Sequence, residues 1–183
     1  MSAENTAGEF DKYKKTITIR DGSTVFLRPM QSNDVDRVLG LFRRFSQETI
    51  YLRFHHVVTK MSREEAADYC TIDYDNTFAL VVTVGKGASE KLLAMGRYYR
   101  LPRKEAAEFA IVVEDKYQKQ GIGTHLMKEL SAVAKEKGVR FFEGEVLIES
   151  KGMMQIIKDS GFQETQEFDE GAYRVVLDLD TYC

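Results

Sequence analysis

The residues best suited to chemistry lie in one short polar segment, Gln118-Lys119-Gln120-Gly121-Ile122-Gly123. It follows the apolar run 109–113. It precedes a stretch in which Leu126, Met127, Leu130, Val133 and Ala134 recur at helical spacing, so it joins a strand to the start of a helix. Successive backbone N–H groups in such a loop, with the positive end of the helix dipole, form a cradle for a pyrophosphate. Gly121 and Gly123 matter to that chemistry because a side chain at either would hold the anion off the backbone. A Gly-rich helix start without any ligand is the alternative. A Gln/Arg-x-x-Gly-x-Gly/Ala pattern arises by chance in a chain of this length with a probability on the order of 0.1–0.2. The position between strand and helix therefore carries more weight than the pattern. Other phosphate loops fit poorly: 121–126 lacks the third Gly of a dinucleotide fingerprint, and no Gly-Lys-Ser/Thr occurs.

The surrounding elements must hold that loop in place. Residues 1–15 are polar and aperiodic and read as a flexible tail, which leaves 16–183 as a single domain. Alternation around Asp21-Gly22 predicts a hairpin that ends at Pro29. Ser32, Asn33 and Asp34 offer N-caps to a helix with Val35, Val38, Leu39, Phe42 and Phe45 on one face. Ser62-x-x-Glu65 is a capping box for a second helix. Residues 78–84, 92–99 and 108–113 read as strands, and Gly138 stops the helix that follows the loop. A strand over 139–147, a short helix ending at Gly161 and a hairpin around Glu170-Gly171 complete the chain. The order predicts a mixed α/β domain in which the strands at 108–113 and 139–147 pair in parallel through a helical crossover. Their carboxyl ends form the natural ligand crevice.

Composition narrows the function classes. The 183 residues are 43% apolar and 30% charged, with 26 Lys+Arg against 29 Asp+Glu for a net charge of −3, the profile of a globular domain. Such a chain buries about 70% of its unfolded surface and needs neither disulfide nor structural metal. Mixed charge without a basic block, and the absence of Trp, argue against a nucleic-acid partner. The longest apolar runs fall far short of the roughly 18 residues a membrane span needs. The opening residues are neither basic nor apolar, and Cys70 and Cys183 stand far apart, so a reduced, cytoplasmic protein without a metal site is expected.

The strand, loop and helix from Glu108 to Thr124 resemble motif A of the GNAT (Gcn5-related) N-acetyltransferases. The likeness extends to RPMQSNDVDRVLGLFRRFSQETIYLRF, SREEAADYCTIDYDNTFALVV and ESKGMMQIIKDSGF, which are similar to the acetyltransferase domain of bacterial protein lysine acetyltransferases. Those relatives usually carry a further domain, for which 183 residues leave no room. The resemblance implies a GNAT fold: a mixed, mostly antiparallel sheet with a central splayed parallel strand pair flanked by helices. It implies acetyl-CoA as cosubstrate, no metal, and transfer of the acetyl group to a primary amine, a protein lysine or a small amine, by direct attack in a ternary complex.

By the same resemblance Glu108 is the general base, at the start of the motif A strand; a solvated strand-end charge is the bland reading. Ile111, Val112 and Val113 supply backbone groups to the pantetheine arm and the oxyanion. Gln118, Lys119, Gln120, Gly121, Ile122, Gly123 and Thr124 bind the pyrophosphate. Two positions depart from the family pattern. Ser150 stands where many members have an Asn that contacts pantetheine, and Ile157 stands where several have a Tyr acid, which leaves the general acid unassigned. Those departures keep open a non-catalytic acyl-CoA-binding module. The oligomeric state, monomer or homodimer, is not legible.

Overall fold

A computed structural model describes residues 10–103 and 105–181. Eight strands form one sheet: β1 (Lys15–Thr18), β2 (Thr24–Pro29), β3 (Thr77–Val84), β4 (Lys91–Arg100), β5 (Ala106–Val113), β6 (Phe141–Leu147), β7 (Gln163–Asp169) and β8 (Ala172–Asp178). Their order is β1-β2-β3-β4-β5-β6-β8-β7. All neighbours pair antiparallel except β5 and β6. Five helices pack on the sheet: α1 (Val35–Phe42), α2 (Gln47–Phe54), α3 (Arg63–Cys70), α4 (Ile122–Glu136) and α5 (Lys151–Ser160). The expected α/β architecture, with its single parallel pair, is the one observed.

Both faces of the sheet are covered, which is why β3 and β4 read as nearly continuous apolar runs. On one face Leu126, Met127, Leu130 and Val133 of α4 pack with Phe78, Tyr98, Phe109 and Phe142. On the other, Val38, Leu41 and Phe42 of α1, Ile50 of α2, and Ala66 and Cys70 of α3 close over Ala79, Val81, Met95 and Val112. Alternation along β5 serves both layers: Phe109, Ile111 and Val113 face α4, and Val112 faces α1–α3. No register shift interrupts β4–β5, so Glu108 and Ala110 share the face of Val112.

Local signals act as their chemistry dictates. At the β1–β2 turn Gly22 adopts φ +86°, and Ile19 and Ser23 close the hairpin with a 2.9 Å bond. The Ser62 hydroxyl accepts from the Glu65 N–H at 3.1 Å while the Glu65 carboxylate accepts from the Ser62 N–H at 2.6 Å.

Two expectations fail. Residues 10–15 do not behave as a tail. Asp11–Tyr13 form a 3-10 turn, Phe10 stacks on Tyr74 at 4.4 Å, and the Tyr13 hydroxyl donates to Glu136 at 2.7 Å. Three aromatic side chains, Phe10, Tyr13 and Phe78, hold this stretch against the core despite its polar neighbours. Residues 1–9 lie outside the described residues. The first helix, expected to reach Phe45, stops at Phe42, and a separate helix, α2, begins after the Ser46 N-cap. Its sequence, QETIYLRF, is too short and too weakly amphipathic to announce itself. Among the described residues no helix is long and apolar enough to cross a membrane.

Candidate active site

The site originates where the parallel pair comes apart. β5 and β6 match at only three positions, Ala106 with Phe141, Ala107 with Phe142 and Glu108 with Glu143, and beyond Glu108 they diverge. Hydrogen bonds at the strand ends fix which residues face the opening. Leu101 donates to the Ala106 carbonyl and Glu114 donates to the Leu93 carbonyl, both at 2.8 Å, so even-numbered positions turn their backbone toward β4. The Glu105 carbonyl accepts from Arg140 and Phe141 at 2.7 and 3.0 Å, so odd-numbered positions turn toward β6. Phe109, Ile111 and Val113 therefore turn their backbone polar groups toward the split; the Val113 carbonyl is taken by the Gln118 side chain, and the remaining groups form a strand edge ready to pair with an extended ligand. Val112 is a correction: it sits opposite Met95 with its backbone in the β4 ladder and its side chain in the core. Phe109 was missed because alternation in hydrogen-bond direction has no sequence signature until the neighbouring strands are known.

At the far end of this edge is the glycine loop. The Arg20 guanidinium donates to the Lys119 carbonyl at 3.1 Å, and the Arg20 N–H donates to the Gln120 carbonyl at 3.2 Å. In a trans peptide the N–H points opposite the preceding carbonyl, so the N–H groups of Gln120 and Gly121 turn away from the β1–β2 hairpin. They join the first N–H groups of α4, those of Ile122, Gly123 and Thr124, which have no partner within the helix. Lys119 and Gly121 both adopt positive φ, 61° and 87°, to make this nest.

The two glycines do different work. At Gly121 a Cβ would meet nothing within 4 Å, so the residue answers to its left-handed backbone and to the open space in front of the loop. At Gly123 a Cβ would stand 3.0 Å from Ile156 Cγ1 and nearer still to Cδ1, so its smallness lets α4 and α5 approach. The expectation that Gly123 clears room for an anion is thus replaced by a packing role for its missing side chain.

Gln118 also departs from expectation. Its side-chain amide donates to the Val113 carbonyl at 3.2 Å and to Thr49 Oγ1 at 3.1 Å, and its N–H donates to the Asp115 carbonyl. It therefore braces the loop against α2 and does not point at a ligand. Asp115 strengthens the brace by accepting from the Ser46 N–H and hydroxyl at 2.9 and 2.5 Å and from the Thr49 hydroxyl at 2.9 Å. Burial raises the Asp115 carboxyl, and the bonds from Ser46 and Thr49 outweigh it and hold it below the ordinary carboxylate range. These partners lie more than 60 residues apart in sequence, so no local pattern reveals them.

Glu108 lines a cleft of about 330 Å³ together with Arg53, His55, Ile111, Glu145 and Ser150. Its carboxylate is exposed, on the face of the sheet that α2 overhangs. Ser150, 8% exposed, is the N-cap of α5 and makes no capping bond, which leaves its hydroxyl available to the cleft. Ile157 is fully buried and faces the α4 core, so this position supplies no acid. His55 ends α2 with φ 58° and places Nδ1 3.4 Å from Glu145 Oε1.

Comparison with known proteins agrees with this geometry. Residues 45–162 match the model of the acetyltransferase (GNAT) family. The chain is 35% identical over 146 residues to acetyltransferase Pat of Mycolicibacterium smegmatis, covering 79% of this chain and 43% of that protein. It is 28% identical over 123 residues to acetyltransferase PA5475 of Pseudomonas aeruginosa, covering 67% of this chain and 66% of that one. It thus spans less than half of the first relative and just under two thirds of the second. Among solved structures, the GNAT domain of S. lividans PAT superposes with a TM-score of 0.84 at 27% identity, over 92% of this chain and 98% of that one. A cAMP-binding acyltransferase from Mycobacterium smegmatis superposes with a TM-score of 0.61 at 28% identity, over 93% of this chain and 50% of that one. Sequence, sheet topology and the split strand pair lead to one conclusion: the chain belongs to the GNAT acetyltransferase family.

Proposed function

We propose that this protein is an acetyl-CoA-dependent N-acetyltransferase that acetylates a protein lysine by direct attack within a ternary complex. The observation that carries the proposal is the split itself, with an open backbone edge at Phe109, Ile111 and Val113, an N–H nest at one end and the Glu108 cleft at the other. The nest at Gln120–Thr124 fits the diphosphate of CoA, and the edge fits its amide-bearing pantetheine arm. Ser150 offers a hydrogen bond to that arm.

The amine must arrive neutral. Glu108 takes the proton of the acceptor ammonium, directly or through a water, and the free amine then attacks the thioester carbon. The Ile111 and Val113 N–H groups stabilise the oxyanion as the tetrahedral centre forms. The carbon–sulfur bond then breaks and CoA leaves as a thiolate; the second proton of the attacking nitrogen passes to that thiolate or to solvent, since Ile157 offers no acid. Lysine as the acceptor is supported by the chain-wide resemblance to lysine acetyltransferase domains, and the open, partly acidic cleft would admit a side chain presented by another protein.

The test is to incubate lysate proteins and metabolites with isotope-labelled acetyl-CoA and the purified protein, then locate the label by mass spectrometry. Label on lysine side chains supports the reading. Label confined to small amines reassigns the acceptor, and tight CoA binding with no label on any amine rejects catalysis.

A further inference from the structure

Arg97 is a buried cation without a counter-ion. It is 4% exposed, its guanidinium is stacked between the rings of Tyr69 and Tyr99 at 4.6 and 4.9 Å, and it donates to the Tyr69 carbonyl at 2.7 Å. Its Nε has no hydrogen-bond partner. Among the described residues no carboxylate forms an ion pair with it or with Arg53, a half-buried neighbour on α2. The other well-buried arginine behaves differently: Arg28 is bonded to Asp34 at 2.7 Å and to Glu90 at 3.1 Å. Arg53 and Arg97 line one small cavity, and a buried cation with a like charge nearby and no anion is costly to keep. Burial lowers the Arg97 pKa and the charge of Arg53 adds to that, outweighing the opposite pull of Tyr99, Tyr69 and Cys70.

The location points to what would relieve this. Arg97 lies opposite Ala110 and Tyr99 opposite Glu108 across β4–β5, so Arg97 and the proposed base share a face of the sheet. Arg53 lines the same cleft as Glu108. The diphosphate end of the cosubstrate site is elsewhere: the N-terminal turn of α2, through Ser46 and Thr49, packs against Asp115 and Gln118, and Arg53 lies four to seven residues further on, about 6–10 Å along the helix. The pantetheine arm that fills the interval is uncharged. An arginine pair here therefore has no partner on CoA and would repel a bare ammonium.

We infer that Arg53, backed by Arg97, forms a carboxylate subsite on the acceptor side of the cleft, so that the preferred acceptor is a lysine with an acidic residue beside it. The inference rests on the acetyltransferase reading above. The ammonium then goes to Glu108 and the neighbouring carboxylate to Arg53, whose planar fork suits it. A carboxylate beside the amine could also be the α-carboxylate of a free amino acid, and the experiment separates these two sources.

Two end-blocked peptides, identical except for Glu or Gln next to a single lysine, are assayed with the wild type, Arg53→Gln and Arg97→Lys. Free lysine and lysinamide are assayed alongside. The wild type is expected to favour the Glu peptide at least tenfold in kcat/KM, mainly through KM. Arg53→Gln brings the ratio to about one, and Arg97→Lys, with an unchanged circular dichroism spectrum, lowers it part-way. A wild-type ratio near one, or a ratio that survives Arg53→Gln, overturns the subsite. An Arg53-dependent preference for lysine over lysinamide, with indifferent peptides, supports the subsite and assigns the carboxylate to a free amino acid. Calorimetric binding of the peptides to the CoA-loaded protein separates the two levels of inference. Glu- and Arg53-dependent binding without transfer upholds the subsite and rejects the enzymatic reading, whereas transfer indifferent to the carboxylate does the reverse.

Discussion

Glu108 stands opposite Glu143 at the last matched position of the parallel β5–β6 pair, so its carboxylate marks the point where the two strands part. Glu143 is buried and engaged by Arg103 and Arg174, while Glu108 is exposed and lines the cleft. One member of the pair is tied into structure and the other is available to a ligand.

Replacing Glu108 with Gln keeps the shape and removes the proton acceptor. The expected result is a fall in kcat of about 10² to 10³ with the dissociation constant for acetyl-CoA unchanged. Steady-state kinetics across pH, paired with calorimetry, measures both, and an unchanged rate would remove Glu108 from the mechanism.

The glycine loop makes a second prediction, because Gly121 and Gly123 serve different ends. Gly121→Ala puts a side chain on a residue at φ +87° and costs roughly 1–2 kcal/mol of stability. Gly123→Ala drives a methyl group against Ile156 and costs about 1–3 kcal/mol. Ile156→Val, which deletes Cδ1, relieves the second substitution and not the first. Urea denaturation of the single and double variants reads this coupling directly, and equal rescue at both glycines would contradict it.

The Asp115 brace has a pH signature. Its carboxyl titrates below the ordinary 3.8 because the bonds from Ser46 and Thr49 outweigh burial. The stabilisation is therefore present above that value and is lost as pH falls through the lower folded one. Asp115→Asn should cost about 1 kcal/mol at pH 7, allowing for the partial exposure of the group, with the gap to wild type closing below about pH 4. It should also weaken acetyl-CoA binding several-fold, since it loosens α2 from the loop; chemical denaturation over a pH series and calorimetry test the two effects.

Cys70, at the end of α3, is 3% exposed, and burial, reinforced by the charge of Asp34 and opposed by that of Arg97, pushes its thiol up to about 11. Its contribution to stability is full below the ordinary 9.0 and is lost as pH rises toward 11. Native protein at pH 8 should resist iodoacetamide at Cys70 by at least a hundredfold relative to protein in urea. Peptide mapping by mass spectrometry measures this site by site.

Much of the fold was written in short-range pattern. The Asp21-Gly22 turn, the Ser62 capping box, the periodicity of α4 and the glycines ending helices at Gly138 and Gly161 each depend on contacts within a few residues, so the sequence alone determined them. The glycine loop between strand and helix was legible for the same reason. Helix α2 was not, because it is short and weakly patterned and its start, at Ser46 and Thr49, is held by Asp115 and Gln118 from more than 60 residues away. Only the tertiary structure decided that Ile111 and Val113, and not Val112, face the split, that Gly123 is small for the sake of Ile156, and that Arg97 is buried beside Arg53 without an anion. Each of these depends on which strand or helix arrives as a neighbour. A hydrogen-bond direction, a helix spacing or an unpaired charge is a property of two segments brought together, and neither segment carries it alone.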